Sequence, residues 1–128
     1  HFNDTADIIN RHINFVKPGG TLFITLPNFK PLNGWFQKNF DKENYDKHNI
    51  DCMDPKLLEN ICKQAGLKVI QAKYFGHFSL WLENEQQKSA GIRLLKKSLW
   101  LAGKIFTKVF PFNSKQLSPY LILEARKP

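Results

Sequence analysis

A short apolar run, "TLFITL" at residues 21–26, sets the strictest condition on how this chain can fold. The turn "KPGG" precedes the run and Pro27-Asn28 follows it, so the run has the length of a strand. Strands with one face in water alternate between apolar and polar residues, whereas strands of parallel sheets are apolar throughout because both faces are covered. We therefore predict a buried strand over residues 21–26 that needs a neighbour on each side.

The remaining patterns follow in an order typical of an α/β fold. Apolar residues recur at helical spacing over residues 5–16 and again over 55–65, where a capping aspartate precedes a proline. The runs "LKVIQAKYF" (67–75) and "PYLILEARK" (119–127) are predicted strands. The order strand, loop, helix, strand predicts a right-handed parallel crossover, and three strands leave one edge of the first strand bare.

Two long segments separate these elements. Residues 29–53 mix aromatic with polar residues and show no periodicity, so an irregular loop is predicted there. Residues 79–110 are predicted to be mostly helical, and the segment at about 79–112 is interpreted as a basic amphipathic helical insertion. Its apolar stripe consists of Ile92, Leu95, Leu99, Ala102, Phe106 and Val109, and its basic stripe of Arg93, Lys97, Lys104 and Lys108.

The positive charge of the chain lies in its last third. The formal net charge is +8 at neutral pH. Residues 1–85 carry ten basic and ten acidic side chains, whereas residues 86–128 carry nine basic residues and a single acid, Glu124. The basic character therefore belongs to the segment around the predicted insertion and not to the fold as a whole.

The cysteines and histidines do not indicate a metal centre. Cys52 and Cys62 are predicted to be free buried thiols, as is usual in cytosolic proteins. The four histidines show no ligand spacing with one another or with the cysteines, so no metal site is predicted. No stretch reaches the roughly 18 apolar residues of a transmembrane helix.

Three stretches, taken in order, are similar to a known enzyme family. They are "KPGGTLFITLPN", "HNIDCMDPKLLENICKQAGLKVIQAKYFG" and "SPYLILEARK". Together they resemble the C-terminal half of class I S-adenosylmethionine-dependent methyltransferases, over residues 1–76 and 117–127. In that family the lysine-proline-glycine-glycine turn leads into the fifth strand, the helix ending in "aGL.V" leads into the sixth, and a final strand inserts between them, antiparallel to both.

The resemblance implies an α/β fold class, namely the C-terminal part of a Rossmann-like seven-stranded sheet with strands 5, 6 and 7 and their flanking helices. The family holds its cofactor with a glycine-rich loop after strand one and an acidic residue at the end of strand two. No glycine of this chain forms such a loop after a strand. Residues 1–128 are therefore interpreted as a partial methyltransferase domain, with S-adenosylmethionine bound mainly by residues outside this chain.

The expected activity is methyl transfer to a small molecule, with a lipid- or quinone-like acceptor as the narrower hypothesis. Ligands of open α/β sheets bind beyond the carboxyl ends of the parallel strands. His1 and His48 are the candidate catalytic residues, and His1 and Phe2, in an opening "HF.D" that looks like the family's loop after strand four, are the candidate cofactor contacts. The candidate acceptor contacts are Asn28, Phe29, Trp35, Tyr45 and Tyr74.

Structural roles stand beside several of these assignments. The alternative for His1 is a helix cap, for His48 an exposed loop position, and for Asn28 a side-chain turn that ends the strand. Trp35 and Tyr45 equally suit a cover over the sheet edge. The two other histidines, at positions 12 and 77, are assigned to structure.

The basic helical segment has two interpretations. Apolar and basic stripes on one helix suit peripheral contact with an anionic membrane through residues 92–112. They equally suit a lid over the active site, with the apolar stripe packed on the protein and the lysines in solvent. Nucleic acid is not expected as a partner, since the basic residues are interleaved with large aliphatic ones and no base-reading motif is present.

A function of another class stays open beside the enzyme. The alternative is a non-catalytic remnant or partner subunit whose basic helix binds a membrane surface or nucleic acid. In either case the bare strand edge is expected to allow self-association. The expected location is the cytoplasm, peripheral to the membrane if the helix binds lipid.

Overall fold

A computed structural model describes residues 4–110 and 113–128 of the chain. Its helices are α1 (Thr5–Phe15), α2 (Pro31–Phe40), α3 (Lys42–Asp46), α4 (Pro55–Gln64) and α5 (Ala90–Val109), and one 3₁₀ turn covers Glu85–Gln87. The strands are β1 (Thr21–Pro27), β2 (Lys68–Phe75) and β3 (Tyr120–Arg126). The predicted α/β class is confirmed.

The three strands form one sheet in the order β1-β3-β2. β3 is antiparallel to both neighbours, with Leu123 opposite Ile24 of β1 and Ala72 of β2, so β1 and β2 run parallel to each other. The backbone N–H of Lys127 donates to the carbonyl of Gly20 at 2.9 Å and extends the β1–β3 pairing into the turn before β1. The expected position of the last strand, between the other two, is confirmed.

Side-chain caps fix where the two core helices begin. Asp4 Oδ1 accepts the backbone N–H groups of Ala6 at 2.9 Å and Asp7 at 3.0 Å at the start of α1. Asp54 Oδ1 accepts the N–H of Lys56 at 2.9 Å, and a proline occupies the first position of α4. The helix over residues 5–16 was predicted from its apolar spacing and the helix over 55–65 also from its cap, and both are present.

The main core lies between α1, α4 and one face of the sheet. Its buried members are Ile9, Ile13, Leu22, Phe29, Met53, Leu58, Ile61, Cys62, Leu67, Leu121, Leu123 and Ala125. Because alternate residues of a strand point to opposite faces, the strand residues between these core positions have their side chains on the far face of the sheet. On that face Phe23 and Phe75 are 58% and 49% exposed.

The prediction that β1 is covered on both faces is wrong for this chain. Leu22 is buried and Leu26 is half-buried, whereas Thr21, Phe23 and Thr25 are exposed. The reason is that α1 and α4 contribute to the same core, so the β1 side chains on the other face stay exposed. β1 thus carries more apolar side chains than the described residues bury.

The outer edge of β1 is bare, as predicted. β1 pairs with β3 alone among the described residues, and its other edge has no strand partner there. An exposed edge of this kind presents N–H and C=O groups that can pair with another strand. This edge determines where the candidate site lies.

Helices α2 and α3 replace the irregular loop predicted for residues 29–53. Leu32, Phe36 and Phe40 follow at four-residue spacing, which puts them on one side of α2. Phe36 is fully buried, and the other two pack against the same cluster. Because polar residues lie between these three positions, the helical period was not recognised in the sequence.

The helix predicted over residues 79–110 is shorter than expected, because α5 begins only after Ser89. Phe78, Leu80 and Leu82 alternate into a second core with Phe36, an arrangement with the two-residue period of extended backbone. Two members of the predicted insertion, at positions 111 and 112, lie outside the described residues.

The apolar stripe predicted for α5 also needs correction. Ile92 and Leu99 pack against the second core. Leu95, Phe106 and Val109 are exposed instead, although the lid interpretation placed them against the protein. The contact with the body is therefore narrow, and much of the apolar surface of α5 faces solvent.

Candidate functional site

A groove with a volume of about 690 Å³ runs along the bare edge of β1. Residues 22–26 of β1 form one side, α1 forms a second, and the segment 44–52 forms a third. Apolar side chains of α1, β1 and α4 line it together with polar ones, which include His12, Asn44, Lys47, His48 and Glu83. A concave, mostly apolar site with a small number of polar groups is the usual form of a small-molecule site.

His48 lines this groove in a defined orientation. Its Nδ1 lies 2.8 Å from the backbone carbonyl oxygen of Asn44, one helical turn earlier. A carbonyl oxygen only accepts hydrogen bonds, so Nδ1 carries the proton of this bond and Nε2 of the neutral ring is an acceptor. Phe29 packs edge-on against the imidazole at 4.7 Å between ring centroids. The hydrogen bond and the ring contact thus fix the orientation of the imidazole.

His12 lines the same groove from α1. Its Nδ1 lies 2.8 Å from the carbonyl oxygen of Ile8, so this ring also presents Nε2 as the acceptor in its neutral form. From its sequence, His12 was assigned to structure. The signal that could have placed it at the site was its position on the same predicted helix as the apolar residues that flank β1.

A buried polar network holds the wall formed by α2 and α3. Asn44 donates to Gln37 Oε1 at 3.1 Å, and Gln37 Nε2 donates to the backbone oxygen of Trp81 at 2.7 Å. The carboxylate of Asp41, only 3% exposed, accepts the N–H of Glu83 and the Nζ of Lys88, each at 2.6 Å. Except for the bond between Asn44 and Gln37, these bonds join positions 42 to 47 residues apart, so no local pattern in the sequence could reveal them.

Lys47 and Glu83 form an ion pair at the groove. Lys47 Nζ lies 3.0 Å from Glu83 and 3.4 Å from Glu43. The hydrogen bond to Glu83 raises the pKa of Lys47 above its ordinary value, with the nearby carboxylate charges as further causes. The ammonium group therefore stays charged at neutral pH.

Phe29 separates the groove from a second, smaller cavity of about 360 Å³. Its ring stacks on Tyr45 at 6.3 Å and lies 5.5 Å from Trp81, in addition to the contact with the imidazole. Phe29, Trp35 and Tyr45 line the smaller cavity together with Lys30, Lys38 and Lys115. The structure thus brings together three of the five predicted acceptor contacts, next to His48.

Asn28 is used within the fold. The residue is fully buried, and its Nδ2 donates to the carbonyls of Lys115 and Ser118, both at 2.8 Å. Its Oδ1 accepts the N–H of Lys30 at 3.2 Å. Because both amide hydrogens and the amide oxygen have partners, these bonds favour the strand-ending alternative over an acceptor contact.

Tyr74 lies apart from the groove. It is on β2, opposite Leu121, and β3 separates it from β1. Burial raises the pKa of its hydroxyl, and the carboxylate of Asp54 adds to the shift. The remaining candidates, His1 and Phe2, lie outside the described residues.

Both thiols are held in the protonated form. Cys52 lines the groove and its Sγ lies 2.8 Å from the carbonyl oxygen of Asn49, whereas Cys62 is fully buried in the main core. Burial is the largest cause of a raised pKa at each of them. Since the thiolate is the nucleophile, neither residue is suited to covalent catalysis at neutral pH.

These thiols predict a loss of stability in alkali. The unfolded chain releases its thiol protons near the ordinary pKa of 9.0, before the folded chain does. The free energy of unfolding is therefore highest below that pH and falls as the pH rises through the folded pKa values. Urea unfolding at about pH 8 and about pH 10.5 measures the effect. The free energy of unfolding of the variant Cys52→Ala/Cys62→Ala should fall less between these two pH values than that of the unchanged chain. An equal fall in the variant and the unchanged chain would contradict the raised pKa values of the two thiols.

Two further findings bear on the site. Among residues 4–110 and 113–128, no group of three or more His, Cys, Asp or Glu side chains is placed to hold a metal ion. A comparison with models of known protein families found no match, and a comparison with curated proteins found none either.

Proposed function

We propose that this chain is the C-terminal part of an S-adenosylmethionine-dependent methyltransferase that acts on a small molecule. The observation that carries the proposal is the groove beside the bare edge of β1. β1 is parallel to β2, and the last strand, β3, lies between them and is antiparallel to both. The methyltransferase family that "KPGGTLFITLPN" and the two other stretches resemble has the same strand order as this sheet. A strand contributed from outside this chain would complete the sheet at that edge.

The groove fits one side of such a cofactor. Its volume falls within the usual range of about 300–1,000 Å³ for ligand sites. The apolar side chains of Ile8 and Leu26 suit a planar base, while Lys47 and Glu83, which pair with each other at 3.0 Å, place charged groups in the lining for hydroxyl and amine partners. The cofactor, when bound, supplies an electrophilic methyl group on a sulfonium.

His48 is the residue of the groove best placed to assist the reaction. An acceptor hydroxyl with a high pKa needs a base that takes its proton as the new bond to carbon forms. The Asn44 carbonyl and the Phe29 ring hold the imidazole with Nε2 available for that proton. His48→Gln removes the base while it keeps a polar side chain of similar reach.

The smaller cavity is the proposed acceptor site. Trp35, Tyr45 and Phe29 offer apolar ring surface, and Lys30, Lys38 and Lys115 bring positive charge. This lining suits an acceptor with a planar apolar part and an acidic substituent, and it is compatible with a lipid- or quinone-like molecule. The smaller cavity adjoins the groove across the Phe29 ring, which contacts His48. Methyl transfer would require the acceptor to reach past this ring to within about 3 Å of the methyl group.

Calorimetry with the chain alone gives the first test. Residues 1–128 provide only part of the proposed cofactor site, so titration with S-adenosylmethionine should show weak binding or none. Micromolar affinity would overturn the view that the site is partial.

The decisive experiment uses the protein encoded by the whole reading frame. That protein should bind the cofactor and transfer labelled methyl groups to a small molecule from cell extract. His48→Gln should lower the rate by about 100-fold, the loss expected when a general base is removed. His77→Gln, which changes an exposed histidine outside the groove, should leave the rate unchanged. A whole-frame protein that binds no cofactor would refute the enzyme and favour the non-catalytic subunit.

A further inference from the structure

α5 presents a row of large apolar side chains to solvent. Leu94, Leu101, Ile105 and Val109 follow at spacings of seven, four and four residues, so they lie on one side of the helix. Their exposed fractions are 67%, 53%, 58% and 64%. We call these four residues the apolar row. Single exposed apolar residues are common, but a contiguous patch of them marks an interaction surface.

The other side of α5 holds the helix on the protein. Ile92 and Leu99 pack on the second core, and Thr107 is buried. Gly103 lies so close to Phe78 that a Cβ at this position would be 1.9 Å from a ring carbon. Because this side is occupied, the apolar row faces away from the body of the protein.

A second row on α5 is basic and lies next to the apolar row. It consists of Arg93, Lys97, Lys104 and Lys108, which we call the basic row. None of the four forms an ion pair with another described residue, whereas Lys88 and Lys96 pair with Asp41 and Glu85. Four charges are thus available to an anionic partner.

The charge pattern selects the partner. Between Glu85 and Glu124 the sequence contains no acidic residue, and Glu85 is already paired with Lys96 of α5. A second copy of the chain that packed on the apolar row would bring two basic rows together at the cost of repulsion. A surface with anionic headgroups above a hydrocarbon layer complements both rows at once.

We propose that α5 docks the protein on an anionic lipid bilayer, parallel to the membrane plane. The apolar row enters the boundary between headgroups and acyl chains, and the basic row contacts the headgroups. No described helix is long and apolar enough to cross a bilayer. Trp100 and Phe110, which are 38% and 50% exposed, add aromatic surface to the helix. This inference does not depend on the proposed enzyme.

Vesicle co-sedimentation with the full chain tests the proposal. The chain should bind vesicles of phosphatidylcholine mixed with phosphatidylglycerol at least about tenfold more tightly than vesicles of phosphatidylcholine alone. Raising the salt from about 0.1 M to about 1 M shortens the screening length from ~10 Å to ~3 Å and should release most of the bound protein.

Paired variants separate this surface from general stickiness. Lys97→Glu/Lys104→Glu should weaken binding by at least about tenfold, while Lys17→Glu/Lys56→Glu, with the same change of charge on exposed residues elsewhere, should retain much more of it. Leu101→Ser/Ile105→Ser should also lose binding. Its control is Phe15→Ser/Leu57→Ser, which changes exposed apolar residues of α1 and α4. Circular dichroism of each variant shows whether it is folded.

Two outcomes would overturn the proposal. One is equal binding by the basic-row variant and the unchanged chain. The other is a dimer in light scattering that Leu101→Ser/Ile105→Ser abolishes while no vesicle binding is seen, which would assign the apolar row to a second copy of the chain.

Discussion

Gly34→Ala is expected to lower the free energy of unfolding by about 3 kcal/mol or more, at the upper end of what overpacking costs. A Cβ at position 34 would lie 1.8 Å from the carbonyl oxygen of Phe29 and 2.7 Å from its carbonyl carbon. Both atoms belong to the backbone, so they cannot turn aside as the end of a flexible side chain can. The strain would separate α2 from the end of β1, where Phe29 forms the wall between the two cavities.

Gly91→Ala is the matched control, because it makes the same substitution in another helix. A Cβ at Gly91 meets nothing within 4 Å. Replacing an exposed helical glycine with alanine should raise the stability by roughly 0.5–1 kcal/mol. Urea unfolding followed by circular dichroism measures both variants. Destabilisation of similar size at the two positions would show that the close approach of Gly34 to Phe29 is wrong.

Phe36→Ala is expected to cost about 3–5 kcal/mol, the usual range for removing a fully buried phenylalanine. Phe36 has no exposed surface, and its ring lies 5.1 Å from that of Phe40 in the second core. The same core holds Ile92 and Leu99 of α5. The variant should therefore loosen α5 as well, which limited proteolysis within residues 88–110 can detect.

Trp35→Ala, one residue away, isolates the effect of burial. The Trp35 side chain is 51% exposed, so its removal should change the stability by less than about 1 kcal/mol. Thermal unfolding of the two variants under the same conditions compares them. If Trp35→Ala proved as costly as Phe36→Ala, the orientation of α2 on the second core would be wrong.

The elements that sequence reasoning predicted correctly have strong local signals. Asp4 and Asp54 cap α1 and α4, and the turn "KPGG" fixes the start of β1. The order of the strands was predicted from the resemblance to a family and not from periodicity. No local pattern in residues 21–27 or 120–126 indicates that these two strands pair with each other.

The errors arise where the partner of a residue is distant in the sequence. The uncovered face of β1 could not be foreseen because the run "TLFITL" does not say how many helices will cover it. α2 was missed because its period of four is interrupted by polar residues that serve the network around Gln37 and Asp41. At the candidate site, His48 was predicted from its aromatic surroundings, but His12 was not.

The place of β3 in the middle of the sheet determines how the chain can fold. β1 and β2 do not pair with each other, and every described strand pair includes residues 120–126. A ribosome makes these residues about 100 positions after β1, a delay on the order of 10 s at usual rates of synthesis. β1 waits without a partner for the whole of that interval and β2 for about its second half, and closing so large a loop slows the final step. The nascent chain therefore has an extended period in which a chaperone, or a strand from another source, can occupy the place that β3 will take.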